Sequence, residues 1–190
     1  LCLSCHDGTM PPGQVMSRPL TDPIPMTSLL MPPGPWNLTT NLSDDHPISF
    51  RFDRALSNAD PQLYDPQRIS RQLPLGPHNE VDCKTCHDPH NHQQGNFLRL
   101  PEKRGTLCAT CHNMFGWPVS AHATSPTHVS PVATSPDQRF PFTTVADNGC
   151  ANCHDVHGAP QPARLLRSKS NTQECIVCHN GTVAANIAQV

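Results

Sequence analysis

Large apolar side chains are scarce in this sequence. Its 190 residues include six Phe, two Trp and one Tyr, and hydrophobic residues make up 36%, against about 45–50% in an ordinary globular chain, a class that also counts Gly. A polypeptide this poor in apolar surface cannot offset the entropy of its own ordering by burial alone. That excludes an ordinary hydrophobic core as the organising feature. There is no long hydrophobic run either. Residues 183–190 are short and carry Asn186 and Gln189, so no membrane span is expected. Neither sign of charge dominates: 13 Lys and Arg face 15 Asp and Glu, for a formal charge of −2. Nothing therefore points to nucleic acid or an anionic membrane surface as a partner. Period-two alternation is missing as well, which leaves little room for strands.

What is abundant is proline (22), histidine (12) and cysteine (10). All ten cysteines fall in five copies of one motif, Cys-x-x-Cys-His: Cys2, Cys5 and His6; Cys83, Cys86 and His87; Cys108, Cys111 and His112; Cys150, Cys153 and His154; Cys175, Cys178 and His179. Two cysteines one helical turn apart, followed at once by histidine, present two sulfurs and an imidazole to the same flat macrocycle. This is the attachment pattern of c-type haem, with each cysteine a covalent anchor and the histidine the proximal iron ligand. A bare Cys-x-x-Cys can be half a zinc site or a redox disulfide. Neither needs histidine directly after every pair, and zinc sites using the pairs two at a time would leave one over.

Five c-type haems are therefore expected, one per 190/5 = 38 residues. At that density the cofactors themselves supply most of the core, and the apoprotein is expected to be unfolded. The expected fold is mostly irregular coil with short α-helices and little or no β, the polypeptide wrapped around a chain of haems. Helices are expected at 53–58, 106–113 and 171–178, with single turns at each motif. Covalent haem attachment takes place outside the cytoplasmic membrane. A chain that opens at Leu1 without an initiator methionine is thus expected to have lost a secretory signal.

The first cysteines of the motifs lie at 2, 83, 108, 150 and 175, so two gaps are both 25 residues. Aligning them matches Cys83-x-x-Cys-His-Asp-Pro-His90 with Cys150-x-x-Cys-His-Asp-Val-His157, and sets Leu98 opposite Leu165. The partner motifs both end Cys-His-Asn, at Asn113 and Asn180. The chain is read as one pentahaem unit: a solitary haem and proline-rich strap (1–82), then two similar haem doublets (83–149 and 150–190). Residues 10–36 hold eight prolines, with Leu29, Leu30, Met31 and Trp36 among them. This suits an extended strap packed on haem faces better than a bare linker.

Subtracting the proximal histidines leaves His46, His78, His90, His92, His122, His128 and His157, enough for a second imidazole on every iron. His90 and His157 each follow a proximal histidine by three residues. If they share its helical turn they cannot bind the opposite face of the same iron. Each should then serve another haem, most simply its doublet partner. His46, in Asp44-Asp45-His46-Pro47, and His122, in Ser120-Ala-His122, sit in polar frames able to orient the second ring nitrogen. For the fifth ligand His78 is preferred to His92 and His128. Met10, Met16, Met26 and Met31 are the alternatives for the first haem, whereas Met114 is too near His112 to reach round its haem.

The segments Cys2-Leu-Ser-Cys5-His6-Asp7-Gly8-Thr9, Asp45-His46-Pro47-Ile48-Ser49-Phe50, Cys86-His87-Asp88-Pro89-His90-Asn91 and Phe97-Leu98-Arg99 resemble the doubled Cys-x-x-Cys-His class of multihaem cytochromes c from metal- and mineral-respiring bacteria. The chain is similar to members of that class that polymerise head to tail into extracellular cytochrome filaments. The resemblance implies electron transfer rather than catalysis, with copies of itself, redox proteins or extracellular acceptors such as metal oxides as partners. Residence outside the cell, at its surface or in the periplasm follows from the same resemblance. The alternative within this class is a soluble periplasmic pentahaem shuttle donating to a terminal reductase. A multihaem oxyanion reductase is the competing class. Such enzymes often mark the catalytic haem with lysine in the motif or leave its distal side vacant; no motif here ends in lysine, and the seven spare histidines make a vacancy unnecessary.

Overall fold

A computed structural model describes residues 1–10, 14–15, 24–25, 30–34, 36–69, 71–129 and 140–189. Most of the proline-rich strap lies outside them. Its described backbone includes one antiparallel pair, β1 (Gln14–Val15) with β2 (Ile24–Pro25). The described helices are α1 (Leu3–His6), α2 (Arg54–Ala59), α3 (Pro66–Ile69), α4 (Cys83–Cys86), α5 (Cys108–Cys111), α6 (Ala121–Thr124), α7 (Val145–Asn148) and α8 (Asn171–Ile176). None exceeds six residues, so none is long and apolar enough to cross a membrane. The fold is mostly coil with short helices, as the composition implies.

Such helices hold because their ends are capped rather than because propensity is strong. The side chains of Asp53, Ser120, Thr144 and Ser170 accept from the amides of Leu56, Ala123, Asp147 and Gln173 at the starts of α2, α6, α7 and α8. The expected helix over 106–113 is reduced to α5, and His112 leaves it with extended backbone.

The buried apolar cluster among the described residues is small: Phe52, Ile69, Leu73 and Val81. Two-residue strands β3 (Phe50–Arg51) and β4 (Glu80–Val81) pair antiparallel, Phe50 opposite Val81, and so bring Phe52 and Val81 into it. Leu63, Tyr64, Leu107 and Cys111 pack on its edge. The amides of Tyr64 and Asn113 donate to the carbonyls of Cys111 and Gln62 at 2.8 and 2.6 Å. This core therefore carries the Cys108 motif on its flank.

The Cys150 motif is fixed instead by buried amides. Asn148, fully buried, donates to the carbonyls of Phe142 and Thr144 and accepts from the Phe142 amide. Asn152 donates to the carbonyls of Val145 and Gly149, both at 2.8 Å. Gly149 has φ +54°, and a Cβ there would lie 2.6 Å from backbone atoms of Arg104 and Gly105. A Cβ on Gly105 would lie 2.6 Å from the Cys150 sulfur. The two motif segments cross where only glycine fits.

The two doublets share a pair of backbone hydrogen bonds after their first histidines. Asp88 N–H donates to Phe97 O and Arg99 N–H to Cys86 O; the counterparts are Asp155 to Leu165 and Arg167 to Cys153. Phe97 and Leu165 both adopt positive φ. Arg99 and Arg167 close the loops against Asp88 and Asp155 at 3.2 and 3.7 Å. In this register Leu98, bridged to His87, corresponds to Leu166, bridged to His154. The ungapped alignment with Leu165 is thus corrected by one residue, an insertion in the second loop that the equal 25-residue gaps conceal.

Candidate haem sites

Each motif sits on a short helix or turn, and in four of them a backbone carbonyl pins the imidazole. Nδ1 of His6 lies 2.7 Å from Trp36 O, that of His87 2.9 Å from Asn96 O, and that of His154 2.9 Å from Arg164 O. His179 Nδ1 is 3.3 Å from Ala185 O. A hydrogen bond to Nδ1 fixes the tautomer that leaves Nε2 free to bind a metal. All ten cysteines are free of disulfides.

Three pairs of histidines face one another across a gap. Ring centroids are 6.3 Å apart for His87 and His157, 6.2 Å for His46 and His112, and 6.1 Å for His122 and His179. Two imidazoles bound to opposite faces of one metal at about 2.0 Å, each ring centre roughly 1.1 Å beyond its nitrogen, would have centroids about 6.2 Å apart. The residues present therefore fit an iron porphyrin between each pair. Burial holds the imidazoles of His46, His87 and His112 below their ordinary pKa, in the neutral form that binds iron.

His157 faces His87 of the other doublet, not His179 of its own doublet, whose motif lies 25 residues after the Cys150 motif. The premise of a shared helical turn fails: His87 caps α4 with φ −112° and ψ 145° and the chain turns at 89–90, while His154 lies outside any helix, bridged to Leu166. A docked loop then sets the pairing. His46 N–H donates to Val156 O at 2.8 Å and Ala159 N–H to Asp44 O at 2.9 Å. Asp45, 6% exposed, accepts from His157 Nδ1 at 3.0 Å and Gly158 N–H at 3.3 Å. The acidic frame around His46 thus orients His157, while His46 Nδ1 turns to Pro47 O at 3.0 Å. Asp45 was not legible as a site residue, since its partner lies 112 positions away.

Among the described residues no second imidazole faces His6 or His154 in this way. His78, His90, His92 and His128 are exposed. The amides of His78 and His90 donate to Glu80 and Asp88, His92 packs on Phe97 with centroids 4.9 Å apart, and His128 bridges to Thr144.

The cysteines of successive motifs also approach one another. Cys2 hydrogen-bonds Cys83, and the Cys83 thiol is pushed up by burial and by that neighbour. Burial and adjacent Cys86 push the Cys111 thiol up to about 11. Cys108 and Cys150 share a hydrogen bond that raises the first and lowers the second. A cysteine joined to haem is a thioether and does not titrate. Cys2 thus lies near Cys83, Cys86 near Cys111 and Cys108 near Cys150.

A family model for the doubled CXXCH motif matches residues 76–116 and 143–184, one match over each doublet of the repeat. The Cys2 motif lies outside both. These two doubled motifs support a multihaem c-type cytochrome. No curated protein matches it.

Proposed function

We propose that this cytochrome carries five haems, numbered here in motif order, and conducts electrons along them in that order. The cysteine pairs Cys2 and Cys5, Cys83 and Cys86, Cys108 and Cys111, Cys150 and Cys153, and Cys175 and Cys178 anchor them. His6, His87, His112, His154 and His179 are the proximal ligands. His157, His46 and His122 complete haems 2, 3 and 5. The observation that carries this reading is the three imidazole pairs at 6.1–6.3 Å. An iron held on both faces by neutral imidazole stays six-coordinate in both oxidation states, which favours outer-sphere transfer at low potential and leaves no coordination position for substrate. The protein's part is to pin the imidazoles and bring the macrocycle edges together.

The polymeric form of this reading, an extracellular filament of head-to-tail copies, draws support from the doublet repeat. His157 stands three residues past the haem 4 proximal histidine and faces the first haem of the preceding doublet. His90 stands at the same place in the first doublet and is exposed. The same step back by one doublet would take it to a first-in-doublet haem outside its own chain. Haem 4, at His154, is such a haem and lacks a facing imidazole among the described residues. One copy's His90 can therefore complete the preceding copy's haem 4. Electron microscopy of the sheared cell-surface fraction, with a haem stain, tests this. Thin haem-positive filaments that are lost in His90→Ala are expected. A haem-positive species found only as a small soluble monomer would make the protein a periplasmic shuttle instead.

A further inference from the structure

Asp45 is the buried carboxylate closest to any of the paired imidazoles. One oxygen accepts from His157 Nδ1 at 3.0 Å, and the other is buried with no hydrogen-bond partner. The other Nδ1 contacts shown for the paired imidazoles are neutral carbonyls: Asn96 for His87 on the proximal side of the same pair, and Pro47 for His46 and Ala185 for His179 in the other two. A carboxylate hydrogen-bonded to the far nitrogen of a ligating imidazole makes that imidazole more basic and favours the ferric state. Burial strengthens the interaction because water does not screen it, and the other hydrogen bond that the carboxylate accepts is from the Gly158 amide, at 3.3 Å.

We propose that Asp45 sets the potential of haem 2, holding it below those of haems 3 and 5, by charging the hydrogen bond to its distal ligand. This rests on the assignment of His157 to haem 2. The same loop delivers His46 to haem 3 one residue later, so a single docked tripeptide, residues 44–46, positions one ligand and tunes the next. The conduit then has a built-in step between haems 2 and 3, which biases where an electron resides rather than whether it passes.

The test separates charge from position. Asn can keep the hydrogen bond from Nδ1 but carries no charge. Asp45→Asn in the holoprotein should shift the reduction equilibrium of one haem toward the ferrous form by roughly tenfold, with the other four unchanged and the low-spin spectrum intact. Asp45→Glu should restore much of the original value. The affected step should be the one raised by His157→Met, and Asp45→Asn should add little on top of that variant. Five unchanged potentials in Asp45→Asn would overturn the proposal and leave Asp45 a purely positional residue. A step raised by Asp45→Asn but untouched by His157→Met would instead overturn the ligand assignment. If Asp45→Asn fails to mature, the near-infrared magnetic circular dichroism of the ferric wild type decides. One haem displaced from the rest supports the proposal, and five superposed bands contradict it.

Discussion

A ligating histidine has two nitrogens to satisfy, and here the second is consistently given to the chain itself. Backbone carbonyls of Trp36, Asn96, Arg164 and Ala185 serve four proximal rings. Spacing alone announces the proximal residues, because sulfurs and imidazole are neighbours in sequence. The distal partners were legible only as a pool. His46, His122 and His157 stand opposite other motifs, whereas His78 and His90 have no facing ring among the described residues. The choice is made by contacts such as Asp45 to His157 that no local pattern encodes. His122 gives the cleanest check, since it is exposed and its removal leaves the small apolar core untouched. His122→Ala should convert one haem of the set from low-spin to high-spin and create one carbon monoxide site per reduced chain. Folding should change by no more than about 0.5 kcal/mol beyond the lost ligand bond. A variant with no more high-spin haem than the wild type would show that His122 does not bind haem 5.

Between residue and molecule the working unit is the doublet, a motif helix followed by a closed loop. Its chemistry was readable from Asp88 and Asp155 and the shared leucines, but its register was not. One inserted residue between His157 and Leu166 lengthens the second loop while the 25-residue spacing of the cysteines stays constant. The equivalence of Arg99 with Arg167 emerges only from the hydrogen bonds they close. Helix length was overestimated at 106–113 because His112 leaves α5 with extended backbone, its ring 6.2 Å from that of His46. Where the third and fourth motifs cross, Gly105 and Gly149 permit an approach that a side chain would block. Gly149→Ala combines left-handed backbone with a backbone clash and should cost about 3 kcal/mol. A thermal melt of the holoprotein would register it, together with reduced occupancy of haem 4. Gly95, where an added Cβ meets nothing within 4 Å, is the control, and its alanine variant should lose only the cost of positive φ. Equal effects at the two positions would mean that the crossing leaves room for a side chain at residue 149.

At the scale of the whole molecule, the scarcity of apolar residues and the five motifs are two sides of one arrangement. Phe52, Ile69, Leu73 and Val81 are too few to organise 190 residues. Large apolar side chains such as Phe115 and Val119 remain fully or mostly exposed on the polypeptide alone, so macrocycles must supply the missing interior. The proposed order of motifs 1 to 4 draws support from neighbouring cysteines: Cys2 with Cys83, Cys86 with Cys111, Cys108 with Cys150. That order is the substance of a conduit. It is tested most directly by locating the irons in the mature protein, by anomalous scattering from a crystal or by cryo-electron microscopy. The account predicts five irons in an unbranched line in motif order, with neighbouring porphyrin edges in contact at about 4 Å. It also predicts His157, His46 and His122 on irons 2, 3 and 5. Irons scattered without edge contact, or a line in which haem 2 is not flanked by haems 1 and 3, would contradict it.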